Sequence, residues 1–417
     1  MKKVLFVVLT ALLSTTAYAN NCITYLEQEV FDKALVVCNS EAEQGDRDAQ
    51  YNLALMYAEG EGVKVNKEKA LYWFTKAAEQ GDGDAQFSIG IMYADGEGVK
   101  VDKEKALYWY TKAAEQGVGD AQFNLGLMYD DGDGIKVNKE KALYWYTKAA
   151  EQGIDDAQYN LGLMYYEGEG VEVDKEKALY WYTKAAEQGV GDAQYNLGLM
   201  YNEGDGVKVD KEKAFYWYTK AAEQGVDSAQ YNLGLMYNEG DGVKVDKEKA
   251  LYWYTKAAEQ GGREAQNNLG LMYDEGDGVK VDKEKALYWY TKAAEQGVGD
   301  AQFNLGLMYD EGEGVKVDKE KALYWYTKAA EQGWRGAQNN LGVIYAEGEG
   351  VEVDKEKALY WYTKAAEQGG REAQNNLGVM YQQGEGVKKD IALAKKYFKQ
   401  ACSLGLKEGC DNYNSIK

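Results

Sequence analysis

A tryptophan returns every 36 residues along this chain, at Trp73, Trp109, Trp145, Trp181, Trp217, Trp253, Trp289, Trp325 and Trp361, each time among nearly the same neighbours. A fixed period of roughly 20 to 50 residues means one supersecondary unit stacked many times, each burying its apolar face on the next. Length alone, 417 residues, suggests about two or three domains. The unbroken period predicts a single repeating array instead, so function must come from what such an array presents to a partner.

One unit shows the logic. Asp120 to Tyr129 reads as a helix, termed A, with Ala121, Leu125, Met128 and Tyr129 at helical spacing on one face. Lys139 to Gln152 reads as a second helix, B, in which Ala142, Tyr146, Ala149 and Ala150 share a face and Trp145 lies beside them. Gly132 and Gly134 end helix A and Gly153 ends helix B, as where a chain must take positive φ just past a helix. Small residues such as Gly126 and Ala142 predict a close antiparallel approach, with Trp145 filling the gap to the next unit. The tryptophan row is read as core, not as a cofactor box.

The pattern Ala, Leu-Gly, Tyr, Gly-x-Gly-Val, Lys-Ala, Trp-Tyr, Lys-Ala-Ala, Gly resembles the Sel-one-like repeat (SLR) family, a relative of the tetratricopeptide helical repeats. It is met in ten tandem copies whose A helices begin at residues 48, 84, 120, 156, 192, 228, 264, 300, 336 and 372. The resemblance implies an all-α, right-handed superhelical α/α solenoid with A helices lining its concave wall, and a role in protein–protein assembly. Residues 48–407 are then the ten repeats, with partial caps at 20–47 and 408–417. Two departures stand out: Ala54 replaces the usual glycine, and Lys396-Tyr397-Phe398 replaces the Tyr-Trp-Tyr run, marking an end cap.

Residues 1–19 are set apart. Lys2 and Lys3 precede an apolar run from Val4 to Leu13, and Ala17-Tyr18-Ala19 carries small residues where a signal peptidase reads. They predict a secretory leader cut after Ala19 and a periplasmic or secreted protein with no integral membrane segment left, since the apolar run is too short to span a bilayer. Losing two lysines and no acid takes the net charge from −21 to −23. That balance repels phosphates, arguing against nucleic acid and for a protein or peptide partner. The chain has no proline, in keeping with a helical protein, and no histidine, the commonest metal ligand and general base.

All four cysteines lie in the terminal units. In an exported chain an even number reads as disulfides, and only Cys22 with Cys38 and Cys402 with Cys410 join residues close in the array. The second spacing also resembles the disulfide motif of secreted, cysteine-rich SLR proteins. Loop entropy assigns each bridge about 2.5 to 3 kcal/mol, spent at ends that lack one neighbour and fray first.

The copies also form an internal alignment. Helix B barely varies, even at Lys139, Glu140, Lys141, Thr147, Lys148 and Glu151, whereas helix A changes on the face away from its core. One such position runs Tyr51, Phe87, Phe123, Tyr159, Tyr195, Tyr231, Asn267, Phe303, Asn339, Asn375, and Tyr166 belongs to the row seven residues further on. An aliphatic rail from Leu55 to Val379 runs between them. By the family resemblance this face lines the groove. The expectation is an aromatic and aliphatic channel over the first six copies, grading into amides, suited to an extended peptide or partner helix. Arg263, Arg335 and Arg371, in the turns entering helix A, are expected as anion contacts. The asparagine at the Asn52 site has two readings, a grip on a peptide backbone or a bond within the array. The row from Tyr72 to Tyr360 on helix B reads as packed on the adjoining turn rather than as a second partner surface.

No cofactor and no metal are expected. The acidic turn Asp130-Asp131-Gly132-Asp133-Gly134 lacks EF-hand ligand spacing. Some secreted cysteine-rich SLR proteins are linked to β-lactam binding or weak hydrolysis, which supplies the alternative function. The residues favour a scaffold rather than an enzyme: there is no Ser-x-x-Lys, and Ser40, Ser88, Ser228, Ser403 and Ser415 lie apart.

Overall fold

The computed structural model describes residues 21–416, and all regular structure among them is helical. The expected leader lies outside the described residues. Contacts group the chain into two compact units, Met1–Val190 and Gly191–Lys417, and each is a stack of helix pairs. In the first unit, a partial repeat formed by Cys22–Glu27 and Phe31–Glu43 precedes four full repeats. The second holds six repeats and ends on the helix Lys407–Ser415.

The third repeat shows how residues make the pair. Helix A is Gly119–Asp131 and helix B is Lys139–Glu151. Helix B starts where the Asn138 side chain accepts from the Lys141 backbone N–H at 2.9 Å, satisfying a donor with no intrahelical partner. Helix A stops at Gly132, whose φ of 73° is left-handed, and its N–H closes onto the Met128 carbonyl. The expected close approach is present. A Cβ at Gly126 would stand 2.5 Å from Cδ1 of the Tyr146 ring, so Gly126→Ala should lower stability by about 1–3 kcal/mol, the usual cost of overpacking a full core. Thermal unfolding followed by circular dichroism checks this; an unchanged Tm would contradict the contact.

Each core cluster joins helix B of one repeat to helix A of the next: Ala106, Tyr110, Ala113 and Ala114 pack with Ala121, Leu125 and Met128. Trp145 leans on that same cluster. It therefore fills the gap toward the preceding repeat, not the following one as expected, because the inter-repeat core lies on the side of helix B's predecessor. A buried amide ladder crosses the same junctions. Gln122 Nε2 donates to the Ala114 carbonyl at 3.0 Å, while Gln152 Nε2 donates to Gln122 Oε1 at 2.7 Å. This supplies a C-terminal carbonyl of helix B that would otherwise be buried without a donor.

Both terminal disulfides form as expected, Cys22 with Cys38 and Cys402 with Cys410. The C-terminal helix is fastened further by Lys395, whose Nζ donates to the Ile416 carbonyl at 3.1 Å.

Candidate partner-binding face of the A helices

The aromatic row sits at the seam between successive A helices and over the helix B ring of its own repeat. Tyr51 lies 5.7 Å from the Phe74 ring centroid, Phe87 5.8 Å from Tyr110, Phe123 5.9 Å from Tyr146 and Tyr159 5.9 Å from Tyr182 in the first unit. In the second unit Tyr195 lies 5.9 Å from Tyr218, Tyr231 5.9 Å from Tyr254 and Phe303 6.0 Å from Tyr326. All seven row rings are half-buried. Burial pushes the Tyr51 hydroxyl up to about 12, with Asp84 and Asp82 adding to it. Each ring thus leaves part of its surface exposed and spends the rest on packing.

Among the amides, Asn267 and Asn339 are half-buried and keep a buried side-chain oxygen without a hydrogen-bond partner. Asn375 must be withdrawn from the binding face. It is only 2% exposed, because the C-terminal helix lies over it and Asn412 Nδ2 donates to its Oδ1 at 2.9 Å.

Leu55 and the rail are half-buried, and Leu271 is exposed. Beside the rail a small cleft recurs at successive repeat junctions. One of about 150 Å³ is lined by Leu55, Lys67, Phe74, Ser88 and Ile91, and another of about 220 Å³ by Lys103, Tyr110, Asn124 and Leu127. In the second unit Leu235, Tyr254, Asn268 and Leu271 line one of about 250 Å³. In the two clefts of the first unit, the lysine on the wall opens helix B and ties repeats together. Lys139 Nζ lies 2.7 Å from Asp130 in its own repeat and 2.6 Å from Glu169 in the next, and both hold its pKa above the ordinary value. Where Tyr166 replaces the first acid, Lys175 sits over its ring. The constancy of helix B has the same source: Lys141 stands over Tyr129 at 4.7 Å, and Thr147 Oγ1 donates to the Leu143 carbonyl at 2.7 Å. These positions look solvent-facing in sequence but make fixed contacts.

At the Asn52 site the side chain bonds within its own helix, Asn52 Nδ2 donating to the Asp48 carbonyl at 2.9 Å. Burial pushes the Tyr110 hydroxyl up to about 12, and Asn124, at the Asn52 site of the next repeat, opposes the rise by hydrogen bonding. Tyr146 is raised further by burial and Asp130, to which its hydroxyl donates at 3.4 Å. Asn232, Asn268 and Asn304 also oppose the burial-driven rise of Tyr218, Tyr254 and Tyr290. No hydrogen bond of good geometry closes on those three hydroxyls.

The arginines differ. Arg263 Nε pairs with Glu264 at 2.8 Å and Arg371 Nε with Glu372 at 2.7 Å, both at the surface. Arg335 has no ion pair among the described residues; it lines a cleft of about 690 Å³ with Trp334, Phe303 and Asp300. On the opposite side of the repeats, the Tyr72 row is not packed on the adjoining turn as expected. Tyr108 is 54% exposed, edge-on to Trp109 at 5.1 Å and under Lys112 at 5.8 Å.

Sequence reasoning missed the buried glutamines, although their signal was present in the unvarying Ala-Gln of helix A and Glu-Gln-Gly at the end of helix B. No group of three or more histidine, cysteine, aspartate or glutamate side chains is placed to hold a metal among the described residues. Among those same residues no helix is long and apolar enough to cross a membrane.

Comparison with known families places the Sel1 repeat on residues 47–82, 83–118, 119–154, 155–190, 191–226, 227–262, 263–298, 299–334, 336–370 and 371–406. Among solved structures, c5321, a protective antigen present in uropathogenic Escherichia coli strains and displaying an SLR fold, is 38% identical. The match covers 91% of this chain and 89% of that one, with a TM-score of 0.73. A Sel1 repeat protein from Oxalobacter formigenes is 35% identical over 80% of this chain and 97% of its own, with a TM-score of 0.57. No curated protein matches the sequence.

Proposed function

Because the chain belongs to the Sel1-repeat family, we propose that it is an exported scaffold that holds a peptide or partner protein against its A-helix face. Sel1-repeat scaffolds mediate protein–protein interaction. The observation that carries the finer reading is the recurrence, within each unit, of one cleft type: an aliphatic rail residue beside the buried ring of helix B, closed by an acid of the following turn, Glu97, Asp133 or Asp277. Repeated weak contacts of this sort gain affinity by valency rather than by one deep pocket. Arg263 and Arg371 contribute only after leaving their own glutamates, whereas Arg335 is ready to meet an anion. Two disulfides support a location outside the cytoplasm, periplasmic or secreted, as does the leader over residues 1–19. The Escherichia coli neighbour's standing as a protective antigen agrees with that location.

The scaffold has no chemistry of its own in this reading. The chain contains no histidine and no Ser-x-x-Lys, which leaves β-lactam turnover without a nucleophile and base. Nitrocefin hydrolysis that tracks the purified protein would reverse that order.

The test is capture of a partner from envelope extract and, separately, from host-cell lysate. Alanine at Tyr159, Tyr195 and Tyr231 removes packing as well as ligand edges, so leucine is the better substitution. The triple leucine variant should lose most of the captured partner while retaining native helicity. Capture at the level of the native protein would discard the A-helix face.

A further inference from the structure

The repeat symmetry breaks at three consecutive residues, Trp334, Arg335 and Gly336. The linker position that holds Trp334 is aspartate, glycine or an aliphatic residue elsewhere, as in Asp82, Gly262 and Val298, and the position of Gly336 is usually acidic, as in Glu264 and Glu372. Each change has a geometric consequence. Trp334 lies across the start of the A helix Gly299–Glu311, where Gly299 leaves no room for any Cβ beneath the indole, and the Trp side chain stays 37% exposed. Gly336 removes the acid that pairs with the arginine in sister repeats, leaving Arg335 with no direct ion pair among the described residues, although its charge still helps to lower the Glu372 carboxyl. It also uncovers Phe303, whose Cζ would stand 2.9 Å from a Cβ there. The resulting cleft, about 690 Å³, is roughly three times the others, and Asp300 and Asn304 complete its wall.

We infer that this cleft is the specificity anchor of the scaffold and takes an aromatic–acidic step of an extended partner segment. The partner's ring packs against Trp334 and Phe303 while its carboxylate pairs with the Arg335 guanidinium. The inference rests on the scaffold reading and adds the class of sequence it selects. One guanidinium in a cleft that also holds the Asp300 carboxyl suits a singly charged carboxylate better than a doubly charged phosphoryl group.

The experiment uses the full chain and a fluorescein-labelled peptide, Gly-Ser-Gly-Phe-Glu-Gly-Ser-Gly, read by fluorescence anisotropy. Native protein should bind it, and replacing Glu by Gln or Phe by Ala in the peptide should weaken binding tenfold or more. Arg335→Met should cause the same loss on the Phe-Glu peptide and little further loss on the Phe-Gln peptide. Gly336→Asp, which restores an acid at this position, should weaken binding as well, whereas Arg47→Met, in the first repeat, should leave it unchanged. Equal binding by Arg335→Met, equal binding of the Gln peptide, or no binding by the native chain each overturns the inference. Partner capture that survives Arg335→Met but is lost in the leucine triple variant discards the anchor and keeps the scaffold; capture lost in neither discards both.

Discussion

Replacing Tyr254 by alanine is expected to cost about 3–5 kcal/mol, the range for deleting a large buried ring. Its side chain is 1% exposed, presses on Gly234 at a distance where a Cβ would be 2.6 Å away, and supports the Tyr231 ring. In a stacked array this removes contact with both neighbours of the affected helix, so the structure should open around the sixth and seventh repeats before the C-terminal repeat does. Tyr254→Phe should behave oppositely. The Tyr254 hydroxyl is buried without a hydrogen bond, so its loss should leave stability unchanged or raise it slightly. Tyr326 supplies the control, because its hydroxyl donates to Asp310 at 3.3 Å and Tyr326→Phe should cost about 1–2 kcal/mol. Denaturant unfolding of the three variants decides the matter: a phenylalanine at 254 as damaging as an alanine would show that the hydroxyl has a partner.

The same tyrosines make the protein sensitive to base. The Tyr110 hydroxyl rises from 10.0 to about 12 because burial disfavours the phenolate. A folded pKa above the unfolded one means the folded state keeps its proton longer. The stabilisation is complete below pH 10 and is lost as pH climbs through 12. Two units correspond to about 2.7 kcal/mol for this one residue, which is 4% exposed. Tyr146, Tyr218, Tyr254, Tyr290, Tyr326 and Tyr362 are raised further by the same burial. Helicity should therefore collapse cooperatively between pH 10 and 12 as these phenols ionise, and Tyr110→Phe should move the midpoint upward. Circular dichroism recorded with tyrosinate absorbance tests this. Full ionisation with helicity intact would mean the rings are reachable by solvent in the folded state.

Much of the architecture could be read from residues a few places apart. The period marked the unit, Gly132 and Gly153 marked helix ends that do adopt positive φ, and cysteines placed at the ends of the array paired as expected. The candidate face was less legible. Helical angles placed the Tyr51 row away from the core face, yet its rings pack half-buried on the core clusters, and the sequence could not reveal that the next A helix lies alongside, with Ser88 beside Tyr51 and Asn412 over Asn375. Lys139 looked like an unexplained constant at a solvent position until Glu169, 30 residues on, proved to be its partner. The exposed Tyr108 row was misjudged for the converse reason: its ring stays 54% exposed, beside Trp109 and Lys112 of its own helix.

What the sequence determined by itself was the unit and its number, since helix periodicity, caps and left-handed glycines depend on local backbone sterics that act within about a turn. Tertiary structure alone decided which outward faces stay open. Stacking brings side chains 30 to 37 residues apart into contact, and whether a ring becomes a seam, a cleft wall or a free edge depends on the angle and spacing of helices that no single repeat encodes.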